Sequence, residues 1–375
     1  MSTAEESRGV ESMLKRTPLY ERHLAADGKM VDFAGWEMPL HYGSQLNEHH
    51  QVRNSAGLFD VSHMTIVDIA GSNSLSFLRG LLTNDVIKLD QPGKALYTAM
   101  LNDSGGVLDD LIVYRLGDDS YRLVVNCATR EKDIAWIQLQ AAGKDLVIRE
   151  RGELAILAVH GPRAMEMTSK VLSPDEAEQV NSLGNFRAIE LSGRYIARTG
   201  YTGERGLELI LTAEDAQWFW DQLVAQGVAP IGLGARDSLR LEAGMNLYGH
   251  DMDETISPLE ANMEQVITWE PRDRNFIGRE AVMSKKQLQV QGKLLQLKGL
   301  LLESRGILRE GLRVVTDKGE GIITSGGFSP TLGQSIALAR IPAGSSTCEV
   351  DMRGRMLAAR IVKPNFVRFG RSVVE

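Results

Sequence analysis

Two adjacent acids, Asp109 and Asp110, stand in "GGVLDDLIVYRL" where an apolar run begins. A carboxylate buried without compensation is costly, so this placement asks for a partner, a proton or a ligand. Strand alternation puts Leu108, Asp110, Ile112 and Tyr114 on one face and Asp109, Leu111, Val113 and Arg115 on the other. Asp110 therefore falls on the more consistently apolar face, one step inside the turn, where a cavity can begin. The plainer alternative is that Asp109 closes the turn and Asp110 pairs with a nearby base.

A further carboxylate, in what reads as an equivalent place, is Glu208 of "RTGYTGERGLELIL". It shares a face with Ile210, opposite Leu207, Leu209 and Leu211. Its partner is either an arginine, Arg198 or Arg205, or a ligand edge with two adjacent N–H donors that a carboxylate accepts bidentately. Tyr201, just before the turn, offers an aromatic face and a hydroxyl. In "GLGARDSLRLEAGMNLYGHDMDE" Arg236 falls in the first turn of a helix, where a cation opposes the helix dipole. It calls for an anion, either Asp237 or a ligand carboxylate. Gly232 and Gly234 make no dinucleotide fingerprint, since GxGxxG is absent. His49 and His50 are adjacent on a helix and cannot both face one metal, and His250, Asp251 and Asp253 read as a polar loop, so no metal is expected. No Ser, His and Asp set announces nucleophilic hydrolysis.

The elements around these residues repeat. "MTIVDIAG" reads as a strand, Ser72 as the cap of a helix carrying Leu75, Leu78, Leu81 and Leu82, and "KALYTAML" as a strand that turns through "NDSGG" into "VLDDLIVYRL". "YRLVVNCA" and a helix from near Thr129 follow. A second unit runs from "ELAILAVHG" through a helix begun by Gly161 and Pro162 to "FRAIEL", "RYIARTG" and "GLELIL". Its closing helix has Thr212 as cap, Phe219, Trp220, Leu223 and Val224 as apolar stripe, and Gly227 as stop. The predicted fold is α+β, with two intertwined antiparallel-sheet units and, after about residue 290, a small β-barrel or sandwich. Residues 1–14 are expected to be disordered, 15–285 to hold the two units (about 60–145 and 150–285) with the N-terminal segment packed on them, and 290–372 to form the all-β domain.

With 375 residues, 43% of them hydrophobic, the chain can bury one large core or several smaller ones. A net charge of −7 argues against a broad nucleic-acid or lipid footprint. Cys127 and Cys348 form neither a disulfide framework nor a CxxC pair. No run reaches the roughly 18 apolar residues of a membrane span, and no signal-peptide core is present. A cytoplasmic protein is expected.

Taken together, "RTPLYERH", "MVDFAGWEMPLHY", "GLFDVSHM", "LLTNDV", "NDSGGVLDDLIVY", "RTGYTGERGLEL", "GLGARDSLRLEAGMNLYGHDMD" and "TSGGFSPTLGQSIAL" resemble the aminomethyltransferase, or T-protein, family of the glycine cleavage system. The resemblance runs in order over about residues 14 to 370. It implies three domains in a cloverleaf around a central channel that holds tetrahydrofolate, the co-substrate, with no metal and no flavin. The implied reaction takes the aminomethyl group from the lipoyl arm of the carrier H-protein, releases ammonia and forms 5,10-methylenetetrahydrofolate and dihydrolipoyl H-protein. By motif, Asp110 matches the catalytic carboxylate, Glu208 the acceptor for the pterin N–H edge, and Tyr97, Asn126, Tyr201 and Arg236 further folate-contacting positions. Arg368 and Arg371, in the looser match "KPNFVRFGRS", are candidates for the folate tail. Rival readings are a folate-binding iron–sulfur assembly factor, whose Lys-Gly-Cys-Tyr stretch is replaced here by "RNFIGREAV", and a folate-dependent demethylase of a small methylated amine. A degenerate folate-binding regulator fits poorly with the set Asp110, Glu208 and Arg236.

Overall fold

The computed structural model describes residues 14–374, so the expected disordered N-terminus lies, but for Leu14, outside the described residues. The strand Val107–Gly117 pairs with Ala95–Leu101 on one side and Ser120–Val125 on the other, and Thr65–Ala70 and Val147–Glu150 complete a five-stranded antiparallel sheet. On its outer face the helices Ser74–Leu81 and Arg130–Ala141 bury Phe77, Leu78, Leu81 and Ile137 against Leu111, Val113 and Leu123. A second, six-stranded sheet runs in the order Ala188–Leu191, Arg194–Ala197, Gly206–Thr212, Leu154–His160, Gly57–Asp60 and Ala229–Pro230, the last pair parallel. The helix Ala213–Ala225 covers its outer face with Phe219, Trp220 and Leu223, each burial contributing about 1.5–3 kcal/mol. Val224, read as part of that stripe, is 39% exposed. The inner faces of the two sheets meet through Ile66 and Tyr114 from one and Ile156, Tyr195 and Ile210 from the other, with Tyr114 and Tyr195 edge to face at 5.5 Å.

In both units the strand order follows one scheme: the three strands after the first helical segment lie beside the first strand, and the strand after the closing helix flanks that first strand from the other side. The second unit departs from it in one respect. Gly57–Asp60, which precedes the first unit in the chain, inserts between Leu154–His160 and Ala229–Pro230. That insertion is what intertwines the units.

Two local readings need correction. The first helix begins at Ser74 with Asn73 before it, and Ser72 is not its cap; the Ser72 hydroxyl donates to Asp145 at 2.8 Å, while Asn73 Oδ1 accepts from the Asp145 N–H at 3.0 Å. Both side chains tie the turn to the loop before Val147 instead of closing the helix, and Leu82 lies beyond it in extended backbone. The helix Pro174–Ser182 lies outside the sequence expectation, because it buries only Val180 and so shows no apolar stripe. Its signal was the capping box, Ser173 with Glu176, each side chain accepting from the other's backbone N–H.

The C-terminal strands from Leu295–Leu302 to Arg355–Val362 close into a six-stranded barrel. The helix Leu233–Glu242 clamps it to the sheets. Glu242, fully buried, accepts from Arg53 Nη2 at 2.8 Å, Ser329 at 2.6 Å and the Thr331 N–H at 2.9 Å, with His49 Nε2 at 3.1 Å. Burial opposes its charge, but His49 and Arg53 outweigh that and hold its carboxyl down at about 2. Because the folded value is depressed, this stability is present above the ordinary carboxyl range and drains away as pH falls toward 2. Glu242→Ala leaves the Arg53 guanidinium buried without this counter-ion and is expected to cost about 3–5 kcal/mol. An unchanged urea midpoint at pH 7 would refute this role.

Candidate active site

A cavity of about 440 Å³ opens between the two sheets, within the range of small-molecule sites. Asp110 and Asn126 line it from the first sheet and Glu208 and Ile210 from the second, with Arg236 from the helix Leu233–Glu242 and the segment 244–248 beyond it. The tip of the hairpin formed by Lys29–Phe33 and Trp36–His41 brings Phe33 and Ala34 to the rim.

Asp110 reaches the cavity because its strand alternates. The turn before it is tight: Gly105 has φ +76, and a Cβ on Gly106 would lie 1.7 Å from the Glu254 carbonyl oxygen. Tyr97 donates its hydroxyl to Asp110 Oδ2 at 2.8 Å and Asn126 Nδ2 donates to Oδ1 at 2.9 Å. Burial, then the neighbouring Asp109, push the Asp110 carboxyl up to about 7. Burial also holds the Tyr97 phenol well above its usual value, so it stays a donor.

Leu108 does not share the face of Asp110. Met100 pairs with Asp109 and Leu101 with Val107, which leaves Leu108 as the extra residue of a bulge and turns it into the outer core with Leu111 and Val113. Nor is Asp109 a turn residue. It is completely buried beneath the helix Arg130–Ala141, accepting from Asn126 N at 3.0 Å and from Asn126 Nδ2 at 2.8 Å.

Glu208 pairs with neither Arg198 nor Arg205. Arg198 Nη1 donates to the Leu183 carbonyl, and Arg205 stacks on Phe369 with its guanidinium carbon 5.8 Å from the ring centre. Glu208 Oε2 accepts from the Thr199 hydroxyl, which lies 3.1 Å from Tyr114 Oη, and the other oxygen takes no protein donor among the described residues. Burial raises its carboxyl, against the hydrogen bond from Thr199 and the charge of Arg236. Asp237 is taken by Arg240 at 2.8 Å, so it does not answer Arg236. Arg236 stacks 4.7 Å over the Tyr201 ring and, among the described residues, makes no hydrogen bond or ion pair. Tyr201 donates its hydroxyl to the Asn246 carbonyl. An unpaired guanidinium and an open carboxylate oxygen in one cavity are recognition groups for a ligand that carries both an anionic part and adjacent N–H donors.

Asp110 and Glu208 are not at equivalent places of the repeat. Asp110 lies on the second of the three successive strands of its unit, with its partner Asn126 just after the third; Glu208 lies on the third strand, with its partner Thr199 just after the second. The chain thus provides two different half-sites.

Several contributors carry no distinctive sequence signal. His63 lines the cavity and His160 backs Arg236 and Glu208 from behind; burial and then the Arg236 charge lower them to about 3 and about 4, keeping both neutral. His160 ends the strand Leu154–His160 in "AVHG", whereas His63, in "VSHM", lies in the turn after Gly57–Asp60, and neither stands in a pattern that marks a site. Three residues that line the cavity, Ala34, Phe186 and Asn262, hold left-handed backbone at φ 51, 55 and 54, a strain of about 1–3 kcal/mol each. Arg368 and Arg371 sit exposed on the hairpin near the C-terminus and do not line the cavity. In "HDMD" the groups diverge: His250 pairs with Glu310 at 2.7 Å, Asp251 accepts from Arg240, Thr324 and Ser325, and Asp253 accepts from Thr255.

Fold and site together define a two-sheet α+β protein with a terminal β-barrel and a largely apolar cavity that carries a few facing polar groups, the form of a small-molecule site. The GCVT N-terminal domain model matches residues 19–271, and the glycine cleavage T-protein C-terminal barrel model matches residues 296–368. Over 363 residues the chain is 55% identical to the aminomethyltransferase of Chromobacterium violaceum, covering 96% of this chain and 99% of that protein. It is 52% identical to the aminomethyltransferase of Legionella pneumophila, over 96% and 100% of the two chains. The crystal structure of glycine cleavage system aminomethyltransferase T from Bartonella henselae superposes with a TM-score of 0.88 at 32% identity, covering 96% and 99% of the two chains. The chain belongs to the aminomethyltransferase family, the T-proteins of glycine cleavage.

Proposed function

We propose that this protein takes the aminomethyl group from the lipoyl arm of H-protein, releases ammonia and passes the one-carbon unit to tetrahydrofolate, giving 5,10-methylenetetrahydrofolate and dihydrolipoyl H-protein. The observation that carries this reading is Asp110, a carboxyl near neutrality, across one cavity from the open oxygen of Glu208 and the unpaired Arg236. The residues fit a folate as co-substrate. Glu208 has the free acceptor that a pterin amino and ring N–H edge requires, and Arg236 the cation for a carboxylate.

Expelling ammonia from a sulfur-bound aminomethyl group, or capturing its carbon on nitrogen, develops positive charge and leaves a proton to remove. Ionised Asp110 stabilises that charge and accepts the proton, held in place by Tyr97 and Asn126. Neutral His63 and His160 add no competing cation to the Arg236 region. Enclosure matters because an iminium carbon exposed to water hydrolyses to formaldehyde.

The base must be ionised, so kcat/KM is expected to rise with pH through about 7. Its pH profile in the assay with aminomethylated H-protein and tetrahydrofolate checks this; a flat profile from pH 5.5 to 8 would contradict it. Following ammonia release in the same assay, with and without tetrahydrofolate, tests the function itself. Folate-dependent release is expected. No release with either addition would favour a binding or assembly role, and release from a small methylated amine instead would favour a demethylase.

A further inference from the structure

Behind Asp110 lie two acids for which the proposed chemistry has no use. Asp109, on the outer face of its strand, and Asp133, in the first turn of the helix Arg130–Ala141 that covers that face, are both completely buried. Neither Asp133 oxygen receives an N–H or O–H donor in good geometry, and among the described residues neither acid has a cation within ion-pair distance. Lys132, next in the helix, turns away to the Tyr248 hydroxyl and Glu254, both at 2.7 Å. What Asp133 does meet is the Asp109 carboxyl and, beside it, the Thr129 hydroxyl, which donates to the Asn126 carbonyl at 3.1 Å. Two facing carboxyls in a core without a cation cannot both be charged; one proton between them turns repulsion into a hydrogen bond.

The pair is wired to the cavity. Asn126 spends its backbone N–H and its Nδ2 on the two oxygens of Asp109, at 3.0 and 2.8 Å, and the same Nδ2 donates to Asp110 Oδ1 at 2.9 Å. We propose that Asp109 and Asp133 share one proton and, through Asn126, act as positioning residues that fix the orientation of the Asp110 carboxyl and set the pH at which it ionises. This rests on reading Asp110 as the proton acceptor. The other groups that face the three acids are Tyr97 from the neighbouring strand, Tyr201 and Tyr248 from across the cavity, Cys127, Lys132 and the Arg236 guanidinium near Cys127. Burial raises the three phenols and the Cys127 thiol, and Lys132 is raised by its hydrogen bonds to Glu254 and Tyr248 against the opposing effect of burial. None of those five changes charge near neutrality, which leaves the acids to set the local field.

The two halves of the pair make opposite predictions. Asp133→Asn removes the carboxylate that shares the proton, offers Asp109 an amide donor and lets it ionise beside Asp110. The acid limb of kcat/KM should then move up by about one pH unit, with about a fivefold loss at pH 7 that approaches tenfold below pH 6. Asp109→Asn removes the nearer like charge, and the limb should move down. If the acids only pack the helix, both variants lose rate or stability with the limb unmoved, and the proposal falls. A direct readout does not depend on turnover. Infrared difference spectra of the wild-type protein at pH 9 should retain a protonated-carboxyl C=O band that persists in Asp110→Asn and disappears in Asp109→Asn, or in Asp133→Asn. Absence of that band in the wild type overturns the shared proton even if neither variant folds. Full turnover by Asp110→Asn with the band intact would instead sink the role of Asp110, and with it the control of that role, while leaving the shared proton in place.

Discussion

One-carbon transfer is expected to fall by about 10²–10⁴ when Asp110 is replaced by asparagine, while the affinity for tetrahydrofolate stays close to that of the wild type. The substitution is isosteric. Asn126 Nδ2 keeps an acceptor in the new side-chain oxygen, and the Tyr97 hydroxyl turns to accept from the new amide. What is lost is the charge opposite the developing cation and the place for its proton. Stability should move the other way. The Asp110 carboxyl sits at about 7 in the fold against an ordinary value of 3.8, so the folded state binds a proton that the unfolded chain has already released. The wild type therefore loses stability as pH rises between those values. The variant, which has nothing to titrate there, should unfold at a higher temperature than the wild type at pH 8 and at about the same temperature near pH 4. Water in the open cavity reduces the gain, which we place at about 1–3 kcal/mol. Methylenetetrahydrofolate formation and scanning calorimetry measure the two effects. Wild-type turnover by Asp110→Asn would remove this residue from the chemistry.

Glu208→Ala should instead damage binding. The pterin edge would meet a cavity wall with no acceptor, and an unpaired buried donor costs about 1–3 kcal/mol, or roughly 5- to 150-fold in dissociation constant. The fold should tolerate the change, since Thr199 keeps Tyr114 as a hydroxyl partner at 3.1 Å and Ile210 and Leu209 on the same strand stay buried. The loss should fall mainly on the KM for tetrahydrofolate, with kcat at saturation much less affected. Glu208→Gln, which keeps one acceptor but presents an amide to the ligand's donors, should lie between. Calorimetric binding unchanged in Glu208→Ala would place the pterin elsewhere.

The difference between what was legible and what was not follows the range of the forces involved. Asp110 and Glu208 could be picked out because strand alternation is a property of the backbone, felt over two residues, and an acid on an apolar face breaks it. Arg236 was marked in the same way by the helix dipole. The partners of these groups were not legible. Arg236 is left open because Asp237, its neighbour in sequence, lies one helical turn from Arg240 and pairs there. The bulge that ejects Leu108 from the face of Asp110 depends on the register against Met100 and Leu101, which a single strand does not carry. Asp109 looked like a turn residue because nothing in "GGVLDD" announces that a helix some twenty residues later will cover it with Asp133.

By itself the sequence determined most of the elements, the doubled order of strands and helices, an all-β C-terminal unit open between barrel and sandwich, and the two carboxylates that break their strands' apolar pattern. These follow from local periods and turn chemistry, which act between residues close in the chain. Only the tertiary structure decided that Gly57–Asp60 would thread into the second sheet, that two inequivalent positions of the repeat would face one cavity, and that His63, His160 and the Asp109–Asp133 pair would surround it. Those outcomes depend on how one sheet lies on the other, where burial decides which charges keep a partner, which keep a proton and which remain open for a ligand.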